Sequence, residues 1–126
     1  MTRINCVDPK ILVNKHLLAE YRELPRVFKL AKPCSDAPKT YTLGKGHVKF
    51  FYNKLNYLFL RQIDITLELQ SRGFNLRYSP FDLREFWKPV KEELWGDWTP
   101  SKTDMEVNLQ RIQERLSAIK SKQQEN

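Results

Sequence analysis

The feature that most constrains the fold is a long run of helical periodicity in residues 47–72. Apolar residues recur there at spacings of three and four, as on one face of an α-helix, with a break at Gln62. Gly73 follows the run and suits a helix stop, because glycine readily adopts a left-handed backbone. We therefore predict a long core helix over His47–Arg72, with His47 tying its start to the preceding loop. Its apolar positions are Val48, Phe51, Leu55, Leu58, Ile65 and Leu69.

Residues 16–28, HLLAEYRELPRVF, predict another helix, with three distinct faces. One face is apolar and a nearly opposite face is cationic, because each set recurs at helical spacings. Glu23 lies at the border between them, two turns beyond His16 on the same edge. This placement suits chemistry on an anionic molecule, although a helix whose charged row simply faces solvent has the same pattern. The apolar face comprises Leu17, Tyr21, Leu24 and Phe28, and the cationic face comprises Lys15, Arg22, Arg26 and Lys29.

The ends of this helix are also predicted from the sequence. Asp8 is a candidate N-cap and Pro9 suits an opening turn, since proline lacks the N–H that a first turn leaves unpaired. The helix should run to about Lys32 and stop before the next proline. Within it, Pro25 removes one backbone hydrogen bond and should produce a kink beside Glu23.

A third helix is predicted after Ser101 or Thr103, either of which can cap a helix. Its apolar residues keep a strict alternation of spacings of four and three, and its basic residues fall on another face. The apolar series is Met105, Leu109, Ile112, Leu116 and Ile119, and the basic row is Arg111, Arg115 and Lys122.

The remaining stretch, residues 77–97, is irregular and rich in aromatic residues. Basic residues between aromatic ones can stack on bases, but a segment that wraps and joins the helices is the commoner arrangement. The chain lacks internal repeats and a convincing strand pattern. We therefore predict an all-α fold, one domain over residues 1–126, with two long helices, a shorter third helix and an irregular aromatic wrap.

Composition narrows the function. The chain has 126 residues, a net charge of +7 and 40% hydrophobic residues, which indicates a globular protein with an anionic partner. No apolar run approaches the length of a membrane span, so we expect no membrane partner. Cys6 and Cys34 lack a metal-ligand spacing and are interpreted as reduced packing residues in the cytoplasm. The sequence shows neither a carboxylate cluster for magnesium nor a zinc set, so any nuclease activity should need neither metal nor cofactor.

The second residue is a candidate nucleophile. Thr2 is small, so removal of Met1 is expected to leave it with a free α-amino group. An α-amine has a reference pKa of about 7.7–8.0, against about 10.4 for lysine, and is therefore partly unprotonated near neutral pH. By itself this argument is weak support for a nucleophile, since a chain terminus is usually a tail without function.

Several stretches together resemble a known family. MTRIN, HLLAEYRELPRVF, LGKGHVKFFYNKL, RQI and RGFN are similar, in this order, to the phage-type pyrimidine-dimer DNA glycosylase/AP lyase family. The resemblance runs from Thr2 to about Asn75 and resumes more weakly at GDWTP and in the last helix. It implies a helical fold with the N-terminus in a groove between helices. It also implies that Thr2 is the nucleophile and that Glu23 is the essential carboxylate.

The resemblance further implies a DNA-binding surface and a partner, damaged double-stranded DNA, which we expect a monomer to bind. The implied DNA-contacting residues are Arg3, His16, Arg22, Arg26, Arg77, Arg111 and Arg115, the last matched by charge alone. The chain departs from the family in a shorter loop after the first helix and in lacking an aromatic tail, so dimer recognition should be weaker. Two alternatives stay open: activity on another lesion, and a non-catalytic basic DNA-binding module.

Overall fold

The computed structural model describes residues 4–76 and 92–125, without the side chains of residue 92 and residues 119–125. The described part is helical and contains no β-strand, which confirms the predicted all-α class. The chain forms two compact units. One comprises Met1–Ile4 and Asp8–Thr99, and the other comprises Asn5–Val7 and Pro100–Asn126. Most of the predicted aromatic wrap lies outside the described residues.

The first long helix, α1, spans Asn14–Leu30. A turn of 3-10 helix at Pro9–Ile11 precedes it, and the Asp8 carboxylate caps that turn by accepting a hydrogen bond from Lys10 N–H at 2.9 Å. The predicted cap and proline are present, but they belong to a separate turn. The reason is that Leu12 has an extended backbone, with φ −83° and ψ 141°, so α1 starts later than predicted.

The buried face of α1 is shifted by one position from the predicted apolar stripe. Tyr21 is only half-buried, whereas Glu20 and Val27 are fully buried. Helical spacing puts Glu20 and Val27 on the side of the stripe that Glu23 borders. The shift therefore brings Glu23 to the edge of the core. The buried residues of α1 are Leu17, Glu20, Leu24, Val27 and Phe28.

The second long helix, α2, spans Leu55–Ser71. The continuous helix predicted over residues 47–72 is wrong in its first part, where a 3-10 turn at Lys49–Phe51 precedes a break. The break is at Lys54, with φ −128° and ψ 38°. Lys54 lies opposite Trp95 in an isolated antiparallel bridge. Gly96 N–H donates to the Asn53 carbonyl oxygen at 3.2 Å and Tyr57 N–H donates to the Gly96 carbonyl oxygen at 3.4 Å, so these bonds replace the bond from Tyr57 to Asn53 that a continuous helix would make.

Gly73 and Arg72 fix the C-terminal end of α2. Gly73 has φ +93°, which confirms it as the helix stop. The Arg72 guanidinium donates to the carbonyl oxygen of Leu12 at 2.8 Å and to the side-chain oxygen of Asn14 at 2.9 Å. Its Nε donates to the Glu68 carboxylate at 2.9 Å. Because Leu12 and Asn14 lead into α1, Arg72 ties the end of α2 to the start of α1.

A buried ion pair joins the middles of α1 and α2. Arg61 Nε donates to Glu20 Oε2 at 2.7 Å and Arg61 Nη2 donates to Glu20 Oε1 at 3.2 Å. Glu20 is 0% exposed and Arg61 is 6% exposed, so both charges are removed from water. The paired hydrogen bonds match the planar fork of arginine to the carboxylate. Together with the Arg72 contacts, they make α1 and α2 an antiparallel pair.

An aromatic cluster lies at the N-terminal end of α2. Trp98 stacks on Tyr41 with ring centroids 5.5 Å apart and meets Phe50 edge-on at 5.1 Å. Gly96 allows the Trp98 segment to approach, because a Cβ there would collide with the Asn53 carbonyl oxygen, to which Gly96 N–H donates at 3.2 Å. The aromatic cluster comprises Tyr41, His47, Phe50, Phe51, Tyr57 and Trp98.

In the second unit, the third helix, α3, spans Lys102–Glu125. Ser101 and Asp104 form the predicted cap reciprocally, each side chain accepting a hydrogen bond from the backbone N–H of the other. The expectation of a shorter helix is wrong, because α3 has 24 residues against 17 in each of α1 and α2. Its last turns, SKQQE, consist mostly of good helix formers, which extend the helix beyond the apolar series.

Asn108 anchors the other part of the second unit. Its Oδ1 accepts a hydrogen bond from Cys6 N–H at 2.8 Å, and its Nδ2 donates to Asn5 Oδ1 at 2.8 Å. Asn108 is 1% exposed, so these bonds satisfy polar groups that have left water. Residues 5–7 are therefore fixed to α3 by side-chain hydrogen bonds.

The ion pair between α1 and α2 makes a stability prediction. Replacing Glu20 with Ala leaves the Arg61 charge buried without its partner and should lower the free energy of unfolding by about 3–5 kcal/mol. Chemical denaturation of the purified variant measures this change.

The matched control is Glu114→Ala, which removes an exposed carboxylate 3.7 Å from Arg111. That change should lower the free energy of unfolding by at most about 1 kcal/mol. Replacing Glu20 and Arg61 together with Leu should be less harmful than the sum of the single replacements. Equal losses for Glu20→Ala and Glu114→Ala would contradict the role given to the buried pair.

Candidate active site and nucleic-acid interface

Glu23 lies where α1 passes from its buried face to its exposed face. Its side chain is 21% exposed, and Arg26, one turn later, is 74% exposed. Arg26 Nη1 lies 3.8 Å from Glu23 Oε2, a loose ion pair that, among the described residues, leaves the carboxylate oxygens open to other partners. A carboxylate in this setting can accept or return a proton and can stabilise a positive charge that develops beside it.

The predicted cationic row is confirmed as an exposed surface of α1. Arg22, Arg26, Lys15 and Lys29 are all exposed. Their helical spacing puts them opposite the buried face, so their charges face solvent, where an anion can approach. Guanidinium groups suit phosphate in particular, because their planar fork can bind two oxygens at once.

His16 lies on the same edge of α1 as Glu23 and is half-buried. Seven residues separate the two, which corresponds to about 10 Å of helix rise. His16 and Glu23 therefore lie along the same edge of α1. The spacing places His16 nearer the N-terminal end of α1.

Three of the predicted site residues, Thr2, Arg3 and Arg77, lie outside the described residues. The description begins at Ile4, which is 0% exposed. Covalent geometry limits the distance between the Cα atoms of Thr2 and Ile4 to about 7 Å, since each residue extends the chain by at most 3.3–3.6 Å. If Met1 is removed, the terminal amine is that of Thr2, which covalent geometry keeps within this reach of Ile4.

The two predicted basic residues of the second unit both lie on α3. Arg115 is exposed, as a residue that meets DNA must be. Arg111 is half-buried and lies 3.7 Å from the Glu114 carboxylate, and its Nε is buried without a hydrogen-bond partner among the described residues. Arg111 therefore has hydrogen-bonding capacity that its described neighbours do not use.

Lys54 carries another amine that could act as a nucleophile. Its ammonium lies 3.9 Å from the centre of the Phe50 ring and donates to the Phe50 carbonyl oxygen at 2.9 Å and to Asn53 Oδ1 at 3.0 Å. Burial lowers its pKa below the ordinary 10.5. Lys54 is thus easier to deprotonate than a free lysine, but its ammonium is already engaged by the protein.

Gln62 and Thr66 are polar residues in the middle of the buried face of α2. They are 1% and 3% exposed, yet both amide atoms of Gln62 and the Thr66 hydroxyl have no hydrogen-bond partner in the described part of the chain. Each such group costs about 1–3 kcal/mol of stability. In the sequence, the break in apolar periodicity at Gln62 indicates this buried polar position. Polar residues kept in a core at such a cost in stability are typical of functional positions.

The two cysteines differ in their surroundings. Cys6 is buried, and the Cys34 thiol, which is half-exposed, donates to Asp36 Oδ1 at 2.6 Å. Lys49 donates to the other Asp36 oxygen at 3.0 Å. The hydrogen bonds from Cys34 and Lys49 lower the pKa of Asp36 to about 2. Neither Cys6 nor Cys34 forms a disulfide, and Cys34 ties its loop to the 3-10 turn at Lys49–Phe51 through Asp36.

Residues 4–76 and 92–125 lack two further kinds of feature. None of the helices described there is long and apolar enough to cross a membrane. Nor do three or more His, Cys, Asp or Glu side chains group in a way that could hold a metal ion.

The exposed arginines of α1 make a binding prediction. Each contact with a phosphate releases bound counterions, so Arg22→Ala and Arg26→Ala should each reduce the magnitude of the negative slope of log K against log salt for duplex DNA by about 0.9. Damaged and undamaged duplexes should lose affinity alike. Fluorescence anisotropy over a salt series measures the slope.

Arg22→Lys is the matched control, because it keeps the charge and loses the planar fork. It should keep the slope of the parent protein while weakening the binding. A slope that is unchanged in both alanine variants would show that this face of α1 does not meet the DNA backbone.

One comparison with known proteins places these residues in a family. Residues 1–80 match the model of the family described as pyrimidine dimer DNA glycosylase. The match covers more than half of the chain, including all of α1 and α2.

Proposed function

The chain belongs to the pyrimidine dimer DNA glycosylase family, and we propose that it is a repair enzyme that excises pyrimidine dimers and then cleaves the abasic site. The observation that carries the proposal is the position of Glu23. It lies in the family-matched region, at the edge of the core, beside the exposed Arg26 at 3.8 Å. That is a suitable place for a carboxylate that acts on a sugar whose phosphates are held by arginines.

The proposed nucleophile is the α-amine of Thr2 after removal of Met1. Its lone pair attacks C1′ of the damaged nucleotide, and the bond between C1′ and the base breaks, with the electron pair leaving on the base. Opening of the sugar ring gives an imine between the amine and C1′. The imine makes the C2′ proton acidic, and its loss expels the 3′ phosphate by β-elimination. Water then hydrolyses the imine and releases the enzyme.

Glu23 is the proposed catalytic carboxylate. As an anion it would stabilise the positive charge that develops on the sugar while the base departs. It would also accept and return the protons that ring opening and elimination require. This scheme uses the protein's own amine and carboxylate, and none of its steps calls for a metal ion or cofactor.

Damaged double-stranded DNA is the proposed partner, bound by a monomer. The exposed charges of α1 support phosphate contacts, and the charge of +7 supports attraction to DNA in general. We propose the same role for Arg3, Arg77, Arg111 and Arg115, and a place beside the reacting nucleotide for His16. The target nucleotide would leave the duplex, at a cost that is smaller for damaged and unstacked bases.

The proposed nucleophile makes a direct prediction. Protein whose Met1 is retained, or whose terminal amine is acetylated, should form no borohydride-trapped adduct with an abasic duplex, because the reacting lone pair is displaced or blocked. Gel electrophoresis measures the adduct, and peptide mass spectrometry locates it at Thr2.

Lys54→Arg is the matched control for the choice of amine. It removes the amine whose pKa burial lowers and should leave the yield of adduct unchanged. An adduct that survives blocking of the terminus, or that maps to Lys54, would contradict the assignment of Thr2.

A second prediction concerns Glu23. Glu23→Gln keeps the shape and removes both the charge and the proton transfer, so turnover should fall by about 10²- to 10⁴-fold. The dissociation constant for DNA should stay close to that of the parent protein. Single-turnover nicking and anisotropy measure the two quantities.

The control is Glu114→Gln, the same replacement at an exposed carboxylate of α3. It should leave nicking unchanged. If Glu23→Gln nicks damaged DNA as fast as Glu114→Gln, Glu23 has a structural role only.

A further inference from the structure

Ile4 is held by two side chains that are distant in sequence. Nε2 of His47 accepts a hydrogen bond from Ile4 N–H at 2.8 Å, across 43 residues of chain. The hydroxyl of Tyr41 donates to the Ile4 carbonyl oxygen at 3.1 Å, across 37 residues. Both backbone groups of a fully buried residue are thus bound by side chains from the segment that precedes α2.

The other contacts of His47 prepare it for this role. Its Nδ1 donates to the Thr42 carbonyl oxygen at 2.6 Å, which confirms the predicted tie between His47 and its loop. The proton is therefore on Nδ1, and the lone pair of Nε2 is left to accept from Ile4. Ring packing fixes the plane of the imidazole, with centroids 5.7 Å from Tyr41 and 5.6 Å from Phe51.

We infer that His47 and Tyr41 are positioning residues, which hold Ile4 so that the Thr2 amine is aimed for attack on the sugar. This inference rests on the proposed function. Burial of the Ile4 side chain retains the segment, but hydrophobic contact is non-directional, whereas hydrogen bonds to both backbone groups fix orientation. Two residues of chain leave the amine a short reach, so a fixed Ile4 confines it to a small volume. Such confinement raises the rate of an otherwise slow bimolecular attack.

Two replacements of His47 separate this role from that of a loop tie. Gln can place its amide oxygen near the position of Nε2 and accept from Ile4 N–H. Asn is shorter; its amide can still donate to the Thr42 carbonyl, but it does not reach Ile4. Positioning therefore predicts that His47→Gln rescues the activity that His47→Asn loses, whereas a loop tie predicts the reverse order.

The readout is the single-turnover rate of borohydride-trapped adduct formation on an abasic duplex, measured at saturating protein. His47→Asn should lower this rate by about 10- to 100-fold, the range expected for a misplaced reacting group, while His47→Gln keeps most of it. Tyr41→Phe, which keeps the ring stacked on Trp98, should also lower the rate. The dissociation constant for DNA should stay unchanged in all three. Amide exchange at Ile4 should be faster in His47→Asn and Tyr41→Phe.

Two controls separate positioning from packing. Tyr52→Phe removes a hydroxyl from the same segment and should leave the rate unchanged. Leu69→Ala removes a fully buried side chain from α2 and keeps both hydrogen-bond partners of Ile4, so it should lower the melting temperature and leave the rate close to that of the parent protein.

The outcomes are distinct. If the parent protein forms the adduct at Thr2 but His47→Asn and Tyr41→Phe react at the parent rate, the positioning role is overturned and the proposed function stands. If His47→Asn forms the adduct faster than His47→Gln, His47 only ties down its loop and the inference fails. If the parent protein forms no adduct, or forms it at another residue, the proposed function fails and this inference fails with it.

Discussion

The buried ion pair between Glu20 and Arg61 sets the rotation of α1, and the faces of α1 depend on it. Two charges taken out of water cost several kcal/mol each unless they meet with good geometry, and here they meet through hydrogen bonds of 2.7 and 3.2 Å. A rotation of α1 by one residue would separate them. With Glu20 fixed in the core, helical spacing leaves Glu23 at the border and Arg22 and Arg26 in solvent. The buried ion pair thus also determines where the residues of the candidate site lie on α1.

A second constraint acts at the start of the chain. Free termini usually fray, yet Ile4 is fully buried and its backbone is bound on both sides by His47 and Tyr41. The buried backbone of Ile4 needs hydrogen-bond partners in any case, and partners on two fixed aromatic side chains also set its direction. An amine that must meet C1′ of a sugar needs a fixed direction, because the gain from proximity depends on the geometry of approach. The anchoring of Ile4 and the proposed role of Thr2 therefore support the same chemistry.

Local rules explain the features of the fold that were predicted correctly. Gly73 ends α2 because glycine tolerates a positive φ, and Ser101 caps α3 because its hydroxyl reaches the N–H of Asp104. The exposed row of Arg22 and Arg26 likewise follows from spacing within one helix. The predictions that were wrong involve residues distant in sequence. The expected long helix is interrupted at Lys54 because the backbone of Gly96 bonds to Asn53 and Tyr57 on either side of it, which no local pattern at Lys54 indicates.

The sequence by itself determined the helical class, the stop of α2 at Gly73, the cap of α3 at Ser101 and the basic face of α1. Each of these follows from residues within a few turns of one another, where spacing alone fixes geometry. Only the tertiary structure decided that Glu20 lies inside the core, because a carboxylate is buried only where a partner such as Arg61 meets it. It also decided that His47 and Tyr41 bind Ile4. These hydrogen bonds join residues 43 and 37 positions apart, so they depend on how the chain folds back, which helical periodicity does not indicate.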